Sequence, residues 1–469
     1  MLQTRHITAS LLRRGVGICA VRSRRVGTTD GAGASVDDRS VPTEFKNVFA
    51  DKPTSEIVRA LFVFKMCTYD VFVRNSLQLM TIGERLAGRR LFMWTMRRTF
   101  YGQFVGGETA AEIEACKAAL ESAGVRAIMC VPIEEDTDAH IDDIRYDGAL
   151  KTIMGSVRLA GHACSKLPVA QLKLTAIVPG ATCGELSGWL ADPHAARREL
   201  EAVASALQGG HVHLQLSWRN GAHLRHLEAG VHRFREVCQL SASLGVRLLV
   251  DAEYIHLNPA LRFLSLAAMM AFNTDKPIVA YTYQNYLKKT YKYLEEDLDF
   301  TREVGVGFGA KLVRGAYMIS ERRRAAQHGY EVPLHPDFHS TTAMYEQSVE
   351  RLLDQVAKAP EHVYFMIATH NAASVSHAQE QMAVRGLKAD CSAVLFGQLY
   401  GMADHLSCKL AQGGYLVYKS VPYGRLVDTL PYLQRRAVEN SSMLGGTGLE
   451  CRVLQSALRD RLYRKRTAI

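Results

Sequence analysis

The stretch Arg247-Leu-Leu-Val-Asp-Ala-Glu253 is a short apolar run that ends in two carboxylates. An apolar run without polar alternation is typical of a parallel strand that is buried on both faces. Similar runs recur along the chain and predict strands at residues 126–131, 172–177, 247–252, 277–282, 307–313, 363–368, 393–396 and 414–418. Because helix-length segments separate them, we predict an α/β fold with a (βα)8 barrel of the TIM type. A doubly wound open sheet is the main alternative.

Polar residues follow most of the predicted strands, and in a barrel of parallel strands these ends meet on one face. The segments are Lys173 with its neighbours, Asp251-Ala-Glu253, Thr282-Tyr-Gln284, Lys311-Leu-Val-Arg-Gly-Ala-Tyr317, Ala368-Thr-His-Asn371, Gly397-Gln-Leu-Tyr-Gly-Met402 and Lys419-Ser-Val-Pro-Tyr-Gly424. Cations outnumber acids here, so the predicted site suits a substrate carboxylate or a cofactor phosphate. A dinucleotide fingerprint is absent, because Gly305-Val-Gly-Phe-Gly309 precedes a strand instead of joining a strand to a helix.

A final helix is predicted over Leu430-Pro-Tyr-Leu-Gln-Arg-Arg-Ala-Val-Glu-Asn440. Helical spacing places Tyr432, Arg435, Arg436 and Glu439 on one face. The opposite, apolar face consists of Leu426, Leu430, Leu433 and Ala437. Pro431 is expected in the first turn, where its missing N–H costs nothing. The paired guanidiniums suit a clamp on a carboxylate, and the alternative is a solvated basic helix.

The composition narrows the class of protein. The 469 residues carry a net charge of +10, but the basic residues are dispersed without interleaved aromatics, which argues against nucleic-acid binding. The ten cysteines include no C-x-x-C pair, so we expect reduced thiols and no structural zinc. The histidines between His211 and His232 lack a carboxylate or cysteine at ligand spacing, so no metal site is predicted.

Pattern and composition divide the chain into segments. Residues 1–40 are rich in arginine with no acid before Asp30, which predicts a mitochondrial transit peptide, with a disordered basic tail as the alternative. Residues 41–123 are predicted as a helical arm, and residues 124–450 as the barrel with a helical insertion at about 180–246. Residues 451–469 are predicted as a basic C-terminal tail. No apolar run reaches membrane-spanning length without charges.

The motifs, taken in order, resemble the proline dehydrogenase family. The segments that carry the resemblance are Asp251-Ala-Glu, Lys311-Leu-Val-Arg-Gly-Ala-Tyr, Ala368-Thr-His-Asn, Phe396-Gly-Gln-Leu-Tyr-Gly-Met and Pro431-Tyr-Leu-Gln-Arg-Arg-Ala-Val-Glu-Asn. The resemblance implies a distorted (βα)8 barrel that binds FAD non-covalently and oxidises L-proline to Δ1-pyrroline-5-carboxylate. It also implies peripheral association with the mitochondrial inner membrane, on the matrix side, and electron transfer to ubiquinone.

The resemblance also implies roles for individual residues. Arg435, Arg436 and Lys173 would hold the substrate carboxylate, while Tyr317, Leu399 and Tyr432 would wall the ring. Asp251 would be the active-site carboxylate, and Lys311 would lie near the flavin ring. The positions expected to contact FAD are Ala252, Tyr281, Arg314, Gly315, Ala316, Thr369, His370, Asn371 and Glu439.

Two positions depart from the family pattern. Tyr281 stands where Gln or Asn is usual. Ser420 stands where most proline-specific members have a Tyr that packs on the ring, and the branch that oxidises 4-hydroxy-L-proline also carries Ser there. Proline is therefore the default substrate and hydroxyproline the alternative. Two other classes remain open: a Schiff-base aldolase that uses Lys173, and a non-catalytic barrel that binds an acidic metabolite or lipid.

Overall fold

The apolar runs form parallel strands in the computed structural model, which describes residues 41–69, 75–130, 143–161, 167–190, 193–209, 214, 216–218, 221–442 and 444–467. The strands are β1 (Val125–Cys130), β2 (Val169–Leu172), β3 (Arg247–Val250), β4 (Val279–Gln284), β5 (Phe308–Val313), β6 (Val363–Ala368), β7 (Val394–Leu399) and β8 (Val417–Pro422). They pair in the order β1-β8-β7-β6-β5-β4-β3-β2, and β1 also lies beside β2, so the sheet nearly closes on itself. The predicted (βα)8 barrel is confirmed, and the open doubly wound sheet is excluded.

Helices connect consecutive strands, as the crossover between parallel strands requires. In chain order they are α1 (Thr54–Cys67), α2 (Ser76–Met96), α3 (Ala110–Ser122), α4 (Asp143–Gly161), α5 (Gly180–Trp189), α6 (Pro193–Gln208), α7 (Gly221–Ser243), α8 (Asn258–Phe272), α9 (Thr290–Glu303), α10 (Met318–His328), α11 (Phe338–Lys358), α12 (Ala372–Val384), α13 (Asp404–Gln412), α14 (Leu426–Ser442) and α15 (Leu444–Thr467). The region predicted as a helical arm contains α1 to α3, with a π-helical turn at Arg97–Tyr101 after α2. The region predicted as an insertion contains α5 to α7.

Two strands are displaced from their predicted positions. β2 ends at Leu172 because Leu174–Ala176 turn into a 3-10 helix, so Lys173 follows the strand instead of lying inside it. β8 begins at Val417, after Gly414, whose φ of 78° belongs to the left-handed region and keeps the preceding turn out of the ladder. Ser420 consequently lies within β8.

The helix that carries the arginine pair, α14, begins earlier than predicted. Its first turn forms where the amides of Asp428 and Thr429 donate to the carbonyl of Arg425. Pro431 therefore stands inside the helix, and the prediction that it lies in the first turn is wrong. The missing N–H removes one intrahelical hydrogen bond at an exposed position.

The last helix, α15, packs against α1 of the arm. Arg461 of α15 donates to the carbonyl oxygens of Phe49 and Ala50 at 2.7 and 2.9 Å. Residues 451–467, predicted as a basic tail, thus belong to a helix. Residues 1–40, the predicted transit peptide, lie outside the described residues. Within the described ranges, no helix combines the length and the apolarity needed to cross a bilayer.

A buried charge cluster joins the arm to β8. Asp404, at the start of α13, accepts from Lys52 at 2.7 Å and from Lys419 at 2.8 Å. Lys419 is 2% exposed and also donates to the carbonyl oxygens of Leu399 and Met402. Burial alone would raise the pKa of Asp404, but Lys419 and Lys52 hold it well below its usual range. Lys52, Asp404 and Lys419 are termed the clamp cluster below.

Candidate active site

Four side chains form a hydrogen-bonded chain at the C-terminal end of the barrel. Lys311 Nζ donates to Asp251 Oδ1 at 2.7 Å, and Gln171 Nε2 donates to Asp251 Oδ2 at 2.5 Å. Ser420 Oγ lies 3.0 Å from Gln171 Oε1. These residues come from β5, the end of β3, β2 and β8, and together they are termed the lumen chain. It brings together three predicted site residues that are far apart in sequence.

Gln171 is the member of the lumen chain that the sequence analysis missed. It is the polar residue of the β2 run Val-Ala-Gln-Leu, and it lies two positions before Lys173. Side chains two residues apart in an extended strand point to the same face, so Gln171 shares the face of Lys173. This shared face could have predicted Gln171 as a site residue. Lys173 keeps an extended backbone and is half-buried. Within the described part of the chain its ammonium makes no hydrogen bond or ion pair, so it is available to a ligand anion.

The basic face of α14 points inward. Tyr432 and Arg436 are 6% and 7% exposed, and the Arg436 guanidinium lies 4.9 Å from the centre of the Tyr432 ring. The opposite side of α14 joins the hydrophobic core through Leu426, Leu433 and Ala437. Arg435 is half-buried beside these residues. Since Tyr432 and Arg436 of the basic face are buried, the alternative of a solvated basic helix is excluded.

Tyr317 lies within electrostatic range of Arg435 and of Asp251. Burial raises the pKa of its phenol, Glu253 and Asp251 raise it further, and Arg435 opposes the rise. These charges therefore lie close enough to Tyr317 to act on it. The Tyr317 ring also packs on the Tyr254 ring at a centroid distance of 4.5 Å. The predicted aromatic wall thus stands beside the predicted carboxylate clamp.

A hydrogen bond joins His370, after β6, to Leu399, at the end of β7. The amide of Leu399 donates to His370 Nε2 at 3.0 Å. An accepting Nε2 requires the neutral ring to carry its proton on Nδ1. Burial, together with the cations of Lys419 and Arg436, lowers the pKa of His370 to about 3. The imidazole is therefore neutral at physiological pH and keeps one N–H donor for another partner.

Arg314 lies at the end of β5 without a carboxylate partner. Its guanidinium donates to Ser374 Oγ at 2.8 Å and to Thr342 Oγ1 at 2.7 Å, and it lies 4.8 Å from the centre of the Phe338 ring. Burial lowers the pKa of Arg314. In the described residues the guanidinium forms no ion pair. A half-buried cation held by hydroxyls and an aromatic ring is suited to an added anion.

Four other residues predicted to contact the cofactor lie on the segments that follow β5 and β6. Gly315 and Ala316 are exposed in the loop that follows β5. Thr369 accepts from the amide of Asn371 at 3.1 Å. Asn371 Oδ1 caps α12 by accepting from the amide of Ser374 at 2.9 Å, so this oxygen is already used by the protein. The N-terminus of α12 and Arg314 meet at Ser374, where Glu346 Oε1 lies 3.5 Å from Ser374 Oγ and offsets part of their positive charge.

The structure does not bring Tyr281 to this group. Its neighbour Thr282 takes the inner face of β4 and donates to the carbonyl of Val250 at 2.8 Å. Strand alternation therefore turns Tyr281 outward, where its ring packs edge-on against Tyr283 at 5.4 Å. The expectation that Tyr281 contacts the cofactor does not fit this position.

Gln284, which shares the inner parity of Thr282, carries a side-chain amide on the inner face of β4. Its Nε2 donates to the carbonyl of Glu253 at 3.0 Å, and its Oε1 accepts from Asn258 at 2.8 Å. Ala252, another predicted contact, is 8% exposed beside Asp251. Glu439 lies on α14, but its side chain is outside the described part of the structure.

Comparisons with known proteins point to one family. A family model described as proline dehydrogenase matches residues 136–447. Hydroxyproline dehydrogenase from Xenopus laevis is 39% identical over 420 residues, which cover 89% of this chain and 90% of that protein. Mitochondrial proline dehydrogenase 1 from Homo sapiens is 29% identical over 534 aligned positions, which cover 89% of each chain.

A solved structure supports the fold. It is that of proline utilization A from Bdellovibrio bacteriovorus inactivated by N-propargylglycine, and it superposes with a TM-score of 0.61 at 17% identity. The match covers 89% of this chain but only 40% of that protein. At this identity the likeness concerns the fold alone, and it agrees with the barrel described above.

Proposed function

The chain belongs to the proline dehydrogenase family, and on this premise we propose that it is an FAD-dependent dehydrogenase of trans-4-hydroxy-L-proline, with L-proline as a second substrate. The observation that carries the choice is Ser420, whose small hydroxyl belongs to the lumen chain beside the predicted ring wall. The similarity supports it, since the relative from Xenopus laevis named hydroxyproline dehydrogenase is 39% identical and human proline dehydrogenase 1 is 29% identical. Proline, the default from the motifs, becomes the alternative substrate.

The arginine pair and Lys173 are proposed to bind the substrate carboxylate. Arg436 is 7% exposed, so a carboxylate that reaches it is shielded from water and its hydrogen bonds are strong. Tyr432, Tyr317 and Leu399 are proposed to enclose the ring. Fixing both ends presents one ring carbon in one orientation, which is a proximity contribution to the rate.

The residues near Arg314 fit the anionic part of FAD. A guanidinium held by hydroxyls, the N-terminus of α12 and the exposed Gly315-Ala316 backbone together suit a phosphate. His370 Nδ1 and Thr369 would supply hydrogen-bonding groups beside it. Gln284, on the inner face of β4, is a better candidate for a contact with the flavin ring than Tyr281.

The reaction removes a hydride from the ring carbon next to nitrogen and a proton from the nitrogen, which leaves a cyclic imine. Bound FAD would supply the hydride acceptor. The surrounding cations disfavour the protonated amine, so the nitrogen lone pair becomes available. Lys311 uses one of its hydrogens on Asp251 and keeps others, so its cation would stabilise negative charge that arrives in the lumen.

We further propose peripheral association with the mitochondrial inner membrane, with ubiquinone as acceptor. The support for the membrane association is a surface of α2 on which Leu86, Leu91 and Trp94 are 84%, 55% and 58% exposed, with a kink at Gly88 (φ 74°) between Leu86 and the other two. Exposed arginines flank these side chains, namely Arg85, Arg89, Arg90 and Arg98. Apolar side chains between arginines are typical of a helix that lies on an anionic bilayer. This set is termed the α2 surface.

Anaerobic reduction of the purified full chain tests the function. The protein is expected to carry a flavin absorption band near ~450 nm that bleaches with trans-4-hydroxy-L-proline at a higher kcat/KM than with L-proline. Borohydride trapping of a substrate on Lys173, without flavin, would instead support the aldolase. Protein that contains no flavin and turns over neither amino acid would support the non-catalytic barrel.

A further inference from the structure

The hydroxyl of Ser420 has a fixed direction of hydrogen bonding. Asp251 is the ion-pair partner of Lys311, so its carboxylate only accepts hydrogen bonds. The end of the Gln171 amide that lies 2.5 Å from Asp251 Oδ2 must therefore be the NH2 group. This chemistry settles the orientation of the amide independently of how its two ends were assigned.

The direction then passes along the lumen chain to Ser420. With its NH2 group on Asp251, Gln171 turns its carbonyl oxygen toward Ser420 Oγ at 3.0 Å. A carbonyl oxygen only accepts, so the single hydroxyl hydrogen of Ser420 is committed to Gln171. What Ser420 offers to a ligand is therefore a lone pair on Oγ.

Cys130 is the other neighbour of the Ser420 hydroxyl, and it does not change this direction. Its Sγ lies 3.5 Å from Ser420 Oγ, and sulfur is a weaker acceptor than an amide oxygen at 3.0 Å. Burial raises the pKa of Cys130, so the group stays a thiol and can at most donate weakly to one of the two lone pairs. The second lone pair remains for a ligand.

We propose that Gln171 is a specificity-determining positioning residue, which orients Ser420 so that the site selects a ring substituent that donates a hydrogen bond. A ring hydroxyl meets this requirement, whereas a ring hydrogen or fluorine does not. The inference rests on the proposed function and adds that the site around Ser420 accepts a hydrogen bond from the ring substituent. A merely roomy pocket would admit hydroxyproline without distinguishing a donor from an acceptor.

The test compares trans-4-hydroxy-L-proline, trans-4-fluoro-L-proline and L-proline as reductants of the bound flavin. The fluoro compound is similar in size to the hydroxy compound but has no hydrogen to donate. The wild-type enzyme is expected to prefer the hydroxy over the fluoro compound by about tenfold in kcat/KM, as one hydrogen bond between neutral groups permits.

Variants then assign that preference to Gln171. Gln171→Met keeps the length of the side chain and removes both hydrogen bonds, so the Ser420 hydroxyl can then donate to either substituent as well as accept from the hydroxy compound. The hydroxy-to-fluoro ratio is expected to fall to about threefold. Ser420→Ala removes the hydroxyl itself and should lower the ratio to about one. The double variant should show no further loss, because the two residues act as one unit.

The outcomes separate this inference from the proposed function. If neither hydroxyproline nor proline reduces the wild-type flavin, the proposed function fails. If both reduce it but Gln171→Met leaves the hydroxy-to-fluoro ratio unchanged, only the role of Gln171 fails. A fall in kcat/KM for all three compounds by the same factor would mean that Gln171 only supports Asp251, which also overturns the inference.

Discussion

Lys311 Nζ and Asp251 Oδ1 lie 2.7 Å apart although β4 separates their strands in the barrel. The two side chains are 13% and 15% exposed, so water hydrates neither charge fully. The ion pair therefore keeps an ammonium in a partly dry lumen, where an unpaired charge would be costly. The same carboxylate holds Gln171, so it orients both the cation and the amide that face the proposed substrate.

Asp251→Asn is expected to lower kcat/KM for both amino acids by about 10- to 100-fold, since a charge-assisted hydrogen bond is lost and Lys311 is left without its counter-ion. Steady-state kinetics of the purified holoenzyme measure the effect. Asp428→Asn is the matched control, because Asp428 pairs with Arg425 at the exposed start of α14. Wild-type kinetics for Asp251→Asn would contradict the assignment of Asp251 to the active site.

Arg435→Met and Arg436→Met are each expected to raise KM for the amino acid by about 10- to 100-fold and to lower kcat, because each removes a charge-assisted bond to the carboxylate. Flavin content should stay near that of the wild-type protein. Arg425→Met is the control, since this guanidinium stands at the start of the same helix but is 73% exposed. Unchanged KM in both variants would contradict the proposal that Arg435 and Arg436 bind the substrate carboxylate. An equal rise of KM in the control would assign the effect to α14 as a whole.

His370 is expected to remain neutral throughout the physiological range. Its folded pKa of about 3 lies below the unfolded value near ~6.5, so it takes up no proton in the folded enzyme as pH falls from 9 to 5. Hydrogen–deuterium exchange at the imidazole carbon, followed by mass spectrometry of the peptide with His370, should show no sigmoid in that range. The denatured protein supplies the reference titration. A midpoint near ~6.5 in the folded protein would contradict the buried neutral ring.

The barrel was predictable because its strands are apolar throughout, as Val363–Ala368 illustrates. The end of β2 was not, because apolar residues continue past it in Leu172-Lys-Leu-Thr-Ala-Ile177. Hydrophobicity alone does not distinguish a strand from a following buried 3-10 turn. Only the closure of the barrel determines where β2 stops and where Lys173 stands.

The pairing of candidate site residues was predictable where charge marks a strand, as at Asp251 and Lys311, which form an ion pair. The face of β4 on which Tyr281 lies was not predictable, because a shift of one residue in the strand exchanges the inner and outer faces. Gln171 was missed for a related reason: a single amide in a short strand acquires meaning only when its partners are known. Its contacts with Asp251 and Ser420 span 80 and 249 residues of sequence.

The α2 surface is expected to bind anionic vesicles. Leu91→Ser combined with Trp94→Ser should reduce co-sedimentation with phosphatidylcholine–cardiolipin vesicles by about tenfold or more, because apolar area that would enter the interface is lost. Binding should also weaken with added salt, since the flanking arginines contribute through charge. Val384→Ser, which changes a side chain that is 77% exposed at the end of α12, is the control. Equal binding of the double variant and the control would contradict the assignment of this surface.

The clamp cluster is expected to set the stability of the folded chain. Asp404→Asn leaves Lys52 and the 2% exposed Lys419 without their shared counter-ion, and we expect a loss of about 3–5 kcal/mol in the free energy of unfolding at neutral pH. Asp428→Asn should unfold at the wild-type denaturant midpoint, because its ion pair is exposed. Equilibrium unfolding in urea, at fixed flavin saturation, measures both.

The wild-type protein and Asp404→Asn are expected to differ in the free energy of unfolding, and the pH dependence of this difference distinguishes an effect of the ion pairs in the clamp cluster from an effect of packing. The folded pKa of Asp404 is depressed, so its stabilisation is present above the unfolded value near ~3.9 and is lost as pH falls through the lower folded value. The folded pKa of Lys52 is raised by Asp404 against the effect of burial, so its share is present below ~10.4 and is lost as pH rises through the folded value. The gap between wild type and Asp404→Asn should therefore be flat from about pH 5 to 9 and shrink at both extremes. A gap that persists unchanged in acid would mean that the substitution acts through packing, without the two ion pairs.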